Sequence, residues 1–210
     1  MSRLPSHRNM AGIILAAGAS SRLGRPKQLV RLDGRPLLAG VIDAARESDL
    51  DHTVIVLGHR AAEIKTALGS ILKHSKLSVL VNQDYHTGMA GSLRMGIRQI
   101  GNRYQAAMII LGDHPFVDSG FINHLLNRFR NSDKTICVPT FKGRRGHPVC
   151  LRQKFYPDVL SLSGDIGARE ILRGHPDQLL SVEVESDRAF LDIDTQADLE
   201  IAIALNDIKP

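Results

Sequence analysis

The sequence GIILAAGASSRLGRPKQL, residues 12–29, is the most informative stretch of the chain about its fold. Its first residues form a short apolar run, which is typical of a strand buried on both faces of a sheet. Directly after this run come a glycine-containing turn and three cationic side chains, Arg22, Arg25 and Lys27. Glycine lets backbone N–H groups approach an anion, and arginine and lysine neutralise its charge. The stretch therefore predicts a strand followed by a polyphosphate-binding loop.

The glycine spacing of this loop excludes two common phosphate-binding motifs. Gly18 and Gly24 do not fit the pattern G-x-G-x-x-G, and no Gly-Lys-Ser/Thr sequence follows them. The loop is therefore neither a dinucleotide fingerprint nor a Walker A loop, which argues against ATP hydrolysis by a P-loop enzyme. Pro26 restricts the backbone just before Lys27 and stiffens the approach of that lysine.

Apolar runs recur along the first half of the chain, and each is followed by a loop and a helix-like segment. The runs occupy residues 12–17, 53–57, 77–81 and 106–111, and the helix-like segments occupy residues 37–45, 61–72 and 92–100. This alternation predicts parallel strands joined by right-handed helical crossovers. We therefore predict an α/β fold with a doubly wound, mostly parallel sheet.

The pattern changes after residues 136–138. A basic, glycine-containing stretch and two helix-like pieces precede the apolar run 179–184, which predicts a small lid or insertion region rather than another strand–helix–strand unit. The chain closes with residues 189–193 in an extended segment and a helix that begins near Thr195, whose hydroxyl is expected to cap it. The expected buried face of this helix consists of Leu199, Ala202 and Ile203.

Length and composition indicate one soluble domain. The chain has 210 residues, 43% of them hydrophobic and 23% charged, which suffices for one sizeable core but not for two large domains. We predict a flexible tail at residues 1–10 and a single domain at residues 11–210. No stretch approaches the length of a membrane span, and the tail lacks the apolar centre of a secretion signal. A cytoplasmic location without membrane contact is therefore expected.

The charge distribution argues against a nucleic-acid partner. The net charge is only +5, and the cations form separate clusters at residues 22–27, 128–134 and 142–145 rather than one stripe. The aromatic residues amount to three tyrosines and six phenylalanines, and no RNA-binding signature is present. Anionic small molecules fit this distribution better. Cys137 and Cys150 lack CxxC spacing and are predicted to be buried core thiols rather than a disulfide or a metal pair.

Three aspartates are candidate metal ligands. Asp113 follows the apolar run 106–111, so its carboxylate is expected at the ligand-binding end of the sheet. Asp192 and Asp194 lie two residues apart in an extended segment and share one face, so either of them is placed to meet Asp113 across a cleft. Carboxylates that converge on a polyphosphate predict Mg²⁺, which prefers a few hard oxygen ligands together with phosphate oxygens. His114 and the other histidines lack metal-ligand spacing and are predicted not to be ligands.

Six motifs, in order along the chain, resemble those of one enzyme family. They are LAAGASSRLGRPKQLVRLDGRPLL (15–38), NQDYHTGMAGSLRMGI (82–97), LGDHPFV (111–117), GRRGHPV (143–149), GDIGAREIL (164–172) and DIDTQADL (192–199). Over about 185 of the 210 residues they are similar to the motifs of the nucleotidyltransferases typified by molybdenum cofactor cytidylyltransferase. The sequence departs from that pattern at Gly112 and His114, which replace alanine and glutamine, and at Gly91, which replaces serine.

The resemblance implies a Rossmann-like nucleotidyltransferase fold and a set of site residues. It makes Asp113 and Asp194 the metal ligands, with Asp192 as a supporting or alternative ligand. The catalytic residues that it implies are Arg22, Lys27 and Asp113. The expected nucleotide-binding residues are Leu15, Ala16, Ala17, Gly18, Arg22, Lys27, Asn82, Gly88 and Ser92. The expected acceptor-binding residues are Arg144, Arg145, His147, Asp165 and Arg169.

The implied reaction is Mg²⁺-dependent transfer of CMP from CTP to the phosphate of a molybdopterin-type molybdenum cofactor, followed by transient delivery of the product to a molybdoenzyme. In the family, Leu-Ala-Ala-Gly rather than Leu-Ala-Gly-Gly goes with CTP over GTP, and this chain has the former at residues 15–18. Three alternatives stay open. They are a cytidylyltransferase acting on 2-C-methyl-erythritol 4-phosphate, a guanylyltransferase for the molybdenum cofactor, and a non-catalytic protein that binds the cofactor.

Overall fold

The computed structural model describes residues 9–207. Most of the predicted tail, residues 1–8, lies outside this range, as do residues 208–210. Met10 already belongs to the first strand, because its side chain packs in the core with only 1% of its surface exposed. The first strand therefore begins inside the segment predicted as a tail.

The structure contains strands of two to seven residues. In chain order they are β1 (Met10–Ala16), β2 (Arg31–Leu32), β3 (Arg35–Pro36), β4 (His52–Leu57), β5 (Leu77–Val81), β6 (Ala106–Leu111), β7 (Ile136–Phe141), β8 (Arg144–Arg145), β9 (Val149–Arg152) and β10 (Leu179–Glu183). The α-helices are α1 (Leu37–Glu47), α2 (Ala61–Leu68), α3 (Met89–Ile100), α4 (Ser119–Arg130), α5 (Tyr156–Ser161), α6 (Arg169–Gly174) and α7 (Gln196–Asp207).

One central sheet organises these elements, with the strand order β10-β7-β9-β6-β1-β4-β5 and with β8 paired to β7. The neighbours β5, β4, β1 and β6 are parallel, as are β7 and β10. Strand β9 runs antiparallel between β6 and β7. The predicted doubly wound, mostly parallel sheet is confirmed, and the predicted insertion supplies β9 as an interior strand of that sheet.

Helices cover both faces of the sheet. Successive residues of a strand point to opposite sides, so an apolar strand presents side chains that need cover on each face. Ile14 of β1 belongs to one core together with Leu38 of α1, whereas Ile13 belongs to the other core together with Ile97 of α3. A Cβ atom at Gly96 would lie 2.5 Å from Cγ2 of Ile13, so glycine lets α3 approach β1 closely. The two cores hold the carboxyl ends of the parallel strands in fixed positions.

The two cysteines face each other across β7 and β9. Cys137 and Cys150 are register partners in this antiparallel pair, and both are free, fully buried thiols. Burial raises the pKa of the Cys150 thiol well above its usual range. The prediction of core thiols is confirmed.

The C-terminal segment differs in part from the prediction. Residues 189–193 form no strand; a 3-10 turn, Arg188–Phe190, precedes an irregular stretch. Thr195 caps α7 as predicted, since its Oγ1 accepts from the N–H of Asp198 at 3.2 Å while the Asp198 carboxylate accepts from the N–H of Thr195 at 2.7 Å. Ile203 was wrongly assigned to the buried face: it is 42% exposed, because the helix meets the core only along the side of Leu199 and Ala202. No helix in residues 9–207 is long and apolar enough to cross a membrane.

Candidate active site

The loop after β1 folds back onto the end of its own strand. The Gln28 side chain donates through Nε2 to the carbonyl oxygens of Ala16, at 2.9 Å, and of Gly18, at 3.2 Å. The N–H of Lys27 donates to Ser20 Oγ at 3.1 Å. These bonds hold the backbone of Lys27 at the carboxyl end of the sheet. Gln28 was not singled out from the sequence, although it belongs to the Pro-Lys-Gln motif, because the direction of its buried side chain depends on the 3-10 turn that it occupies.

Asp113 and Asp194 meet at this end of the sheet. Asp113 follows β6, and its carbonyl oxygen accepts a hydrogen bond from the N–H of Ile193 at 3.1 Å. This bond draws the C-terminal segment across the strand ends and places Asp194 beside Asp113. The two residues are 81 positions apart in the chain, so only the fold brings their carboxylates together.

Lys27 bridges the two carboxylates. Its Nζ contacts Oδ2 of Asp113 in a short ion pair and Oδ1 of Asp194 at 2.8 Å. Arg22 reaches the second oxygen of Asp194, with its guanidinium nitrogen 2.6 Å from Oδ2. The structure therefore brings together four of the predicted site residues, two cations and two anions, in one network.

The network keeps Lys27 and Asp194 charged. Burial by itself would lower the pKa of Lys27, but the charges of Asp113 and Asp194 outweigh burial and hold the pKa above its usual 10.5. Burial would raise the pKa of Asp194, yet the Lys27 ammonium and the Arg22 guanidinium hold it below its usual 3.8. At neutral pH, Lys27 is thus a cation and Asp194 an anion.

The pair of carboxylates fits a divalent cation. Both contact the same ammonium group, so they are close enough to share one cation. Their hard oxygen donors suit Mg²⁺, which takes one or two carboxylates and completes its shell with phosphate oxygens and water. Asp192 is exposed, and between residues 9 and 207 no group of three His, Cys, Asp or Glu side chains is placed to hold a metal ion. The structure therefore does not bring Asp192, the predicted supporting ligand, to this pair.

A cavity of about 210 Å³ adjoins the network. Most of the predicted nucleotide-binding residues line it, namely Leu15, Ala16, Ala17, Gly18, Lys27, Gly88 and Ser92. Residues not predicted from the sequence as nucleotide-binding complete the lining, among them Gln28, Tyr85, Met89, Gly112 and Asp165. Arg22 stands outside this lining, where 67% of its side chain is exposed and it holds Asp194. Asn82 is also outside: it donates to Ser92 Oγ at 3.0 Å and so positions a side chain that lines the cavity.

The first turn of α3 is covered by the segment around Asp165. The N–H of Met89 donates to Asp165 Oδ1 at 3.3 Å, and that of Ala90 donates to the carbonyl of Gly164 at 3.1 Å. A Cβ atom at Gly88 would lie 2.3 Å from the carbonyl carbon of Gly164, so the two backbones touch. The backbone N–H groups of Met89 and Ala90 are therefore bonded to this segment rather than directed at the first cavity.

A second cavity, of about 380 Å³, holds most of the predicted acceptor residues. His147, Asp165 and Arg169 line it, and Asp165 also lines the first cavity, so the two spaces share a wall. Arg145 lies with His147 and Arg169 around a smaller adjoining pocket. Arg144 lines none of these spaces, because it pairs with Asp187 at 3.2 Å.

His147 is a neutral, buried imidazole. Its Nδ1 is buried and has no hydrogen-bond partner among the residues that the structure describes. Burial lowers its pKa to about 4, and the nearby His114 ring, 5.9 Å away between ring centroids, acts in the same direction. A hydrogen bond with the backbone of Ile109 opposes this lowering but does not outweigh it. The ring therefore lines the second cavity as an uncharged group.

The departures around Asp113 have structural explanations. A Cβ atom at Gly112 would lie 2.9 Å from Cβ of Ala16 and 3.1 Å from the carbonyl oxygen of Leu15, so glycine keeps β6 close to β1 at the cavity. His114 is buried, and its Nδ1 lies 3.1 Å from the carbonyl oxygen of Ala189. That contact connects the Asp113 turn to the C-terminal segment.

Comparison with known proteins agrees with this geometry. The model of the MobA-like NTP transferase domain matches residues 12–180. The chain is 29% identical to nicotine blue oxidoreductase of Paenarthrobacter nicotinovorans, covering 89% of this chain and 92% of that protein. It is 25% identical to the probable molybdenum cofactor guanylyltransferase of Thermococcus sibiricus, covering 73% and 72%.

Solved structures share the whole fold. Rv0371c from Mycobacterium tuberculosis H37Rv superposes with a TM-score of 0.82 at 27% identity, over 95% of this chain and 99% of that one. A complex of Rv0371C with manganese gives a TM-score of 0.77 at 24% identity, over 95% and 100%. The domain match spans most of the chain, and the contact between Lys27 and Asp113 joins two of the sequence motifs that resemble this family. The protein is therefore a nucleotidyltransferase enzyme and belongs to the MobA-like NTP transferase domain family.

Proposed function

We propose that this enzyme transfers CMP from CTP to the phosphate of a molybdopterin-type molybdenum cofactor and releases pyrophosphate. The observation that carries the proposal is the network of Lys27, Arg22, Asp113 and Asp194 at the mouth of the first cavity. A non-catalytic binder of the cofactor has no need for two carboxylates paired with two cations beside a cavity of this kind.

The reaction needs charge neutralisation more than proton transfer. A phosphate nucleophile is already ionised at neutral pH, so no general base is required. Both reactants are anions, and their repulsion and alignment are the main barrier that the protein lowers. Lys27 and Arg22 supply positive charge for the triphosphate, and the raised pKa of Lys27 keeps that charge in place. Mg²⁺ held by Asp113 and Asp194 would supply Lewis-acid stabilisation of phosphate oxygens when bound.

The second cavity is proposed to hold the acceptor. It shares Asp165 with the nucleotide cavity, so a molecule bound there lies next to a triphosphate in the first. Arg169 and Arg145 supply positive charge for an acceptor phosphate, and the uncharged ring of His147 lines the space between them. The relative from Thermococcus sibiricus is named for the molybdenum cofactor, which supports this class of acceptor over 2-C-methyl-erythritol 4-phosphate.

The choice of CTP rests on Ala17. This residue lines the first cavity, where the resemblance at residues 15–18 associates alanine rather than glycine with CTP. The name of the Thermococcus sibiricus relative favours GTP instead, so guanylyl transfer to the same cofactor is the second candidate. An Ala17→Gly variant separates the two, because we expect it to increase the turnover of GTP relative to that of CTP.

The test is Mg²⁺-dependent pyrophosphate release from CTP, GTP or ATP, each offered with molybdenum cofactor or with 2-C-methyl-erythritol 4-phosphate. We expect turnover with CTP and the molybdenum cofactor, and a loss of roughly 10²-fold or more in Asp113→Asn. Asp133→Asn, at an exposed aspartate, is the matched control and should retain activity. Undiminished turnover in Asp113→Asn would remove that residue from the mechanism, and no turnover with any triphosphate would favour a cofactor-binding protein.

A further inference from the structure

We infer that Lys27 is the resident cation of the metal site: its ammonium occupies the place between Asp113 and Asp194 and has to leave before a divalent cation enters. The inference rests on the proposed function, since it concerns the same carboxylates. It adds that Lys27 and the metal compete, although both are needed for the same reaction.

The position of the ammonium group is the first argument. Nζ of Lys27 contacts one carboxylate oxygen of Asp113 and one of Asp194. Only 15% of the Lys27 side chain is exposed, against 67% for Arg22, which contacts Asp194 from outside. An ion that binds both carboxylates from between them therefore meets Lys27, while Arg22 leaves that approach open.

The balance of charge is the second argument. Two carboxylates face two cations in the network, so the site is neutral as it stands. A divalent cation entering beside Lys27 would be repelled at contact distance, in a place where water screens charges only partly. Departure of the ammonium restores the attraction of both carboxylates for the metal.

The surroundings supply a second place for the ammonium group. Lys27 lines the first cavity together with Gly18, so its side chain has space on the side where the triphosphate is proposed to bind. Its backbone is held by Ser20, and the next residue, Gln28, is held by Ala16 and Gly18. The exchange is thus a movement of the Lys27 side chain alone. The two carboxylates then bind the metal instead of the ammonium group, and the ammonium group binds phosphate instead of the carboxylates.

A substitution that removes the Lys27 charge should therefore change metal affinity and triphosphate affinity in opposite directions. Without nucleotide, removal of the Lys27 charge should strengthen metal binding, because the competitor is gone. With nucleotide, the same substitution should weaken triphosphate binding, because a phosphate contact is lost. A lysine that acts only on the triphosphate predicts no effect on the binding of metal alone.

The experiment titrates the nucleotide-free protein with Mn²⁺ and follows the free ion by electron paramagnetic resonance. We expect Lys27→Met to bind one Mn²⁺ about tenfold or more tightly than the wild type, a change that corresponds to about 1.4 kcal/mol. Arg25→Met removes a positive charge from an exposed residue of the same loop and should change the affinity less than about twofold, since exposed charges are well screened. Adding Asp113→Asn to Lys27→Met should abolish the gain.

Equal or weaker Mn²⁺ binding by folded Lys27→Met would overturn the inference. If that variant unfolds, a second experiment uses the wild-type protein, in which the rate of amine-reactive labelling of Lys27 is measured by mass spectrometry. We expect labelling to accelerate when Mn²⁺ is added, and an unchanged rate would contradict the exchange. Neither measurement uses CTP or an acceptor. A failure of cytidylyl transfer therefore leaves this result standing, and a failure here leaves the choice of substrates untouched.

Discussion

Stability between pH 7.5 and pH 5 should depend on His147. Burial holds its pKa at about 4 in the folded protein, against about 6.5 for an ordinary histidine. In the pH range between these values the unfolded chain binds a proton that the folded protein excludes. Well above pH 6.5 the ring is neutral in both states and its burial does not make the stability depend on pH. As the pH drops below 6.5, the free energy of unfolding falls.

The magnitude follows from the two pKa values. Each pKa unit corresponds to about 1.4 kcal/mol, so the full effect is about 3 kcal/mol once the pH has fallen to about 4. Between pH 7.5 and pH 5 the part that can be measured is about 2 kcal/mol. This is a large share of the stability of an ordinary domain, which is about 5–15 kcal/mol.

The assay is urea unfolding at several pH values across this range. Other groups also titrate there, so the informative quantity is the difference between the wild type and His147→Gln, whose side chain is neutral throughout. We expect the wild type to lose about 2 kcal/mol more than this variant. His86→Gln, at an exposed imidazole, should follow the wild type. Parallel pH profiles for the wild type and His147→Gln would refute the reasoning.

Three further substitutions test local features. Asp118 caps α4 by accepting from the N–H of Phe121 at 2.7 Å, so Asp118→Ala should lower the free energy of unfolding by about 1 kcal/mol in urea unfolding, and Asp118→Ser should restore most of it. Gly88 has φ +110° and touches Gly164, so Gly88→Ala should lower the melting temperature; an unchanged value would contradict the close approach. Because the pKa of Asp194 is lowered, its ion pairs stabilise the protein above pH 3.8 and are lost as the pH falls through the lower folded value; acid unfolding of Asp194→Asn should show a shallower pH dependence in that range.

Local patterns in the sequence predict much of the fold. The apolar runs that became β1, β4 and β6 are nearly continuous because these strands are buried on both faces, and a run of that kind is visible without tertiary information. The run that became β5 was predicted in the same way, although this strand lies at the sheet edge and is mostly half-buried. The role of β9 was not predicted. Val149 and Leu151 look like any short apolar run, and only pairing with two distant strands turns them into the interior of the sheet.

The candidate site divides in the same way. Lys27 and Asp113 follow strands, so the rule that ligands bind beyond the carboxyl ends of parallel strands was enough to select them. Spacing alone did not separate Asp194 from Asp192, because two alternating carboxylates share one face of an extended segment; only the family resemblance favoured Asp194. The hydrogen bond from the N–H of Ile193 to the carbonyl oxygen of Asp113 fixes the orientation of this segment. In that orientation Asp194 is the residue that lies beside Lys27.

The sequence by itself determined the class of sheet, the cationic loop after the first strand and the family, because each depends on residues that are close in the chain or on motifs in a fixed order. The position of Lys27 between Asp113 and Asp194, and the place of Asp165 in the lining of two cavities, became visible only in the folded protein. These contacts join residues 76 to 167 positions apart. Their geometry depends on how the strands and helices pack, which no local pattern of side chains records.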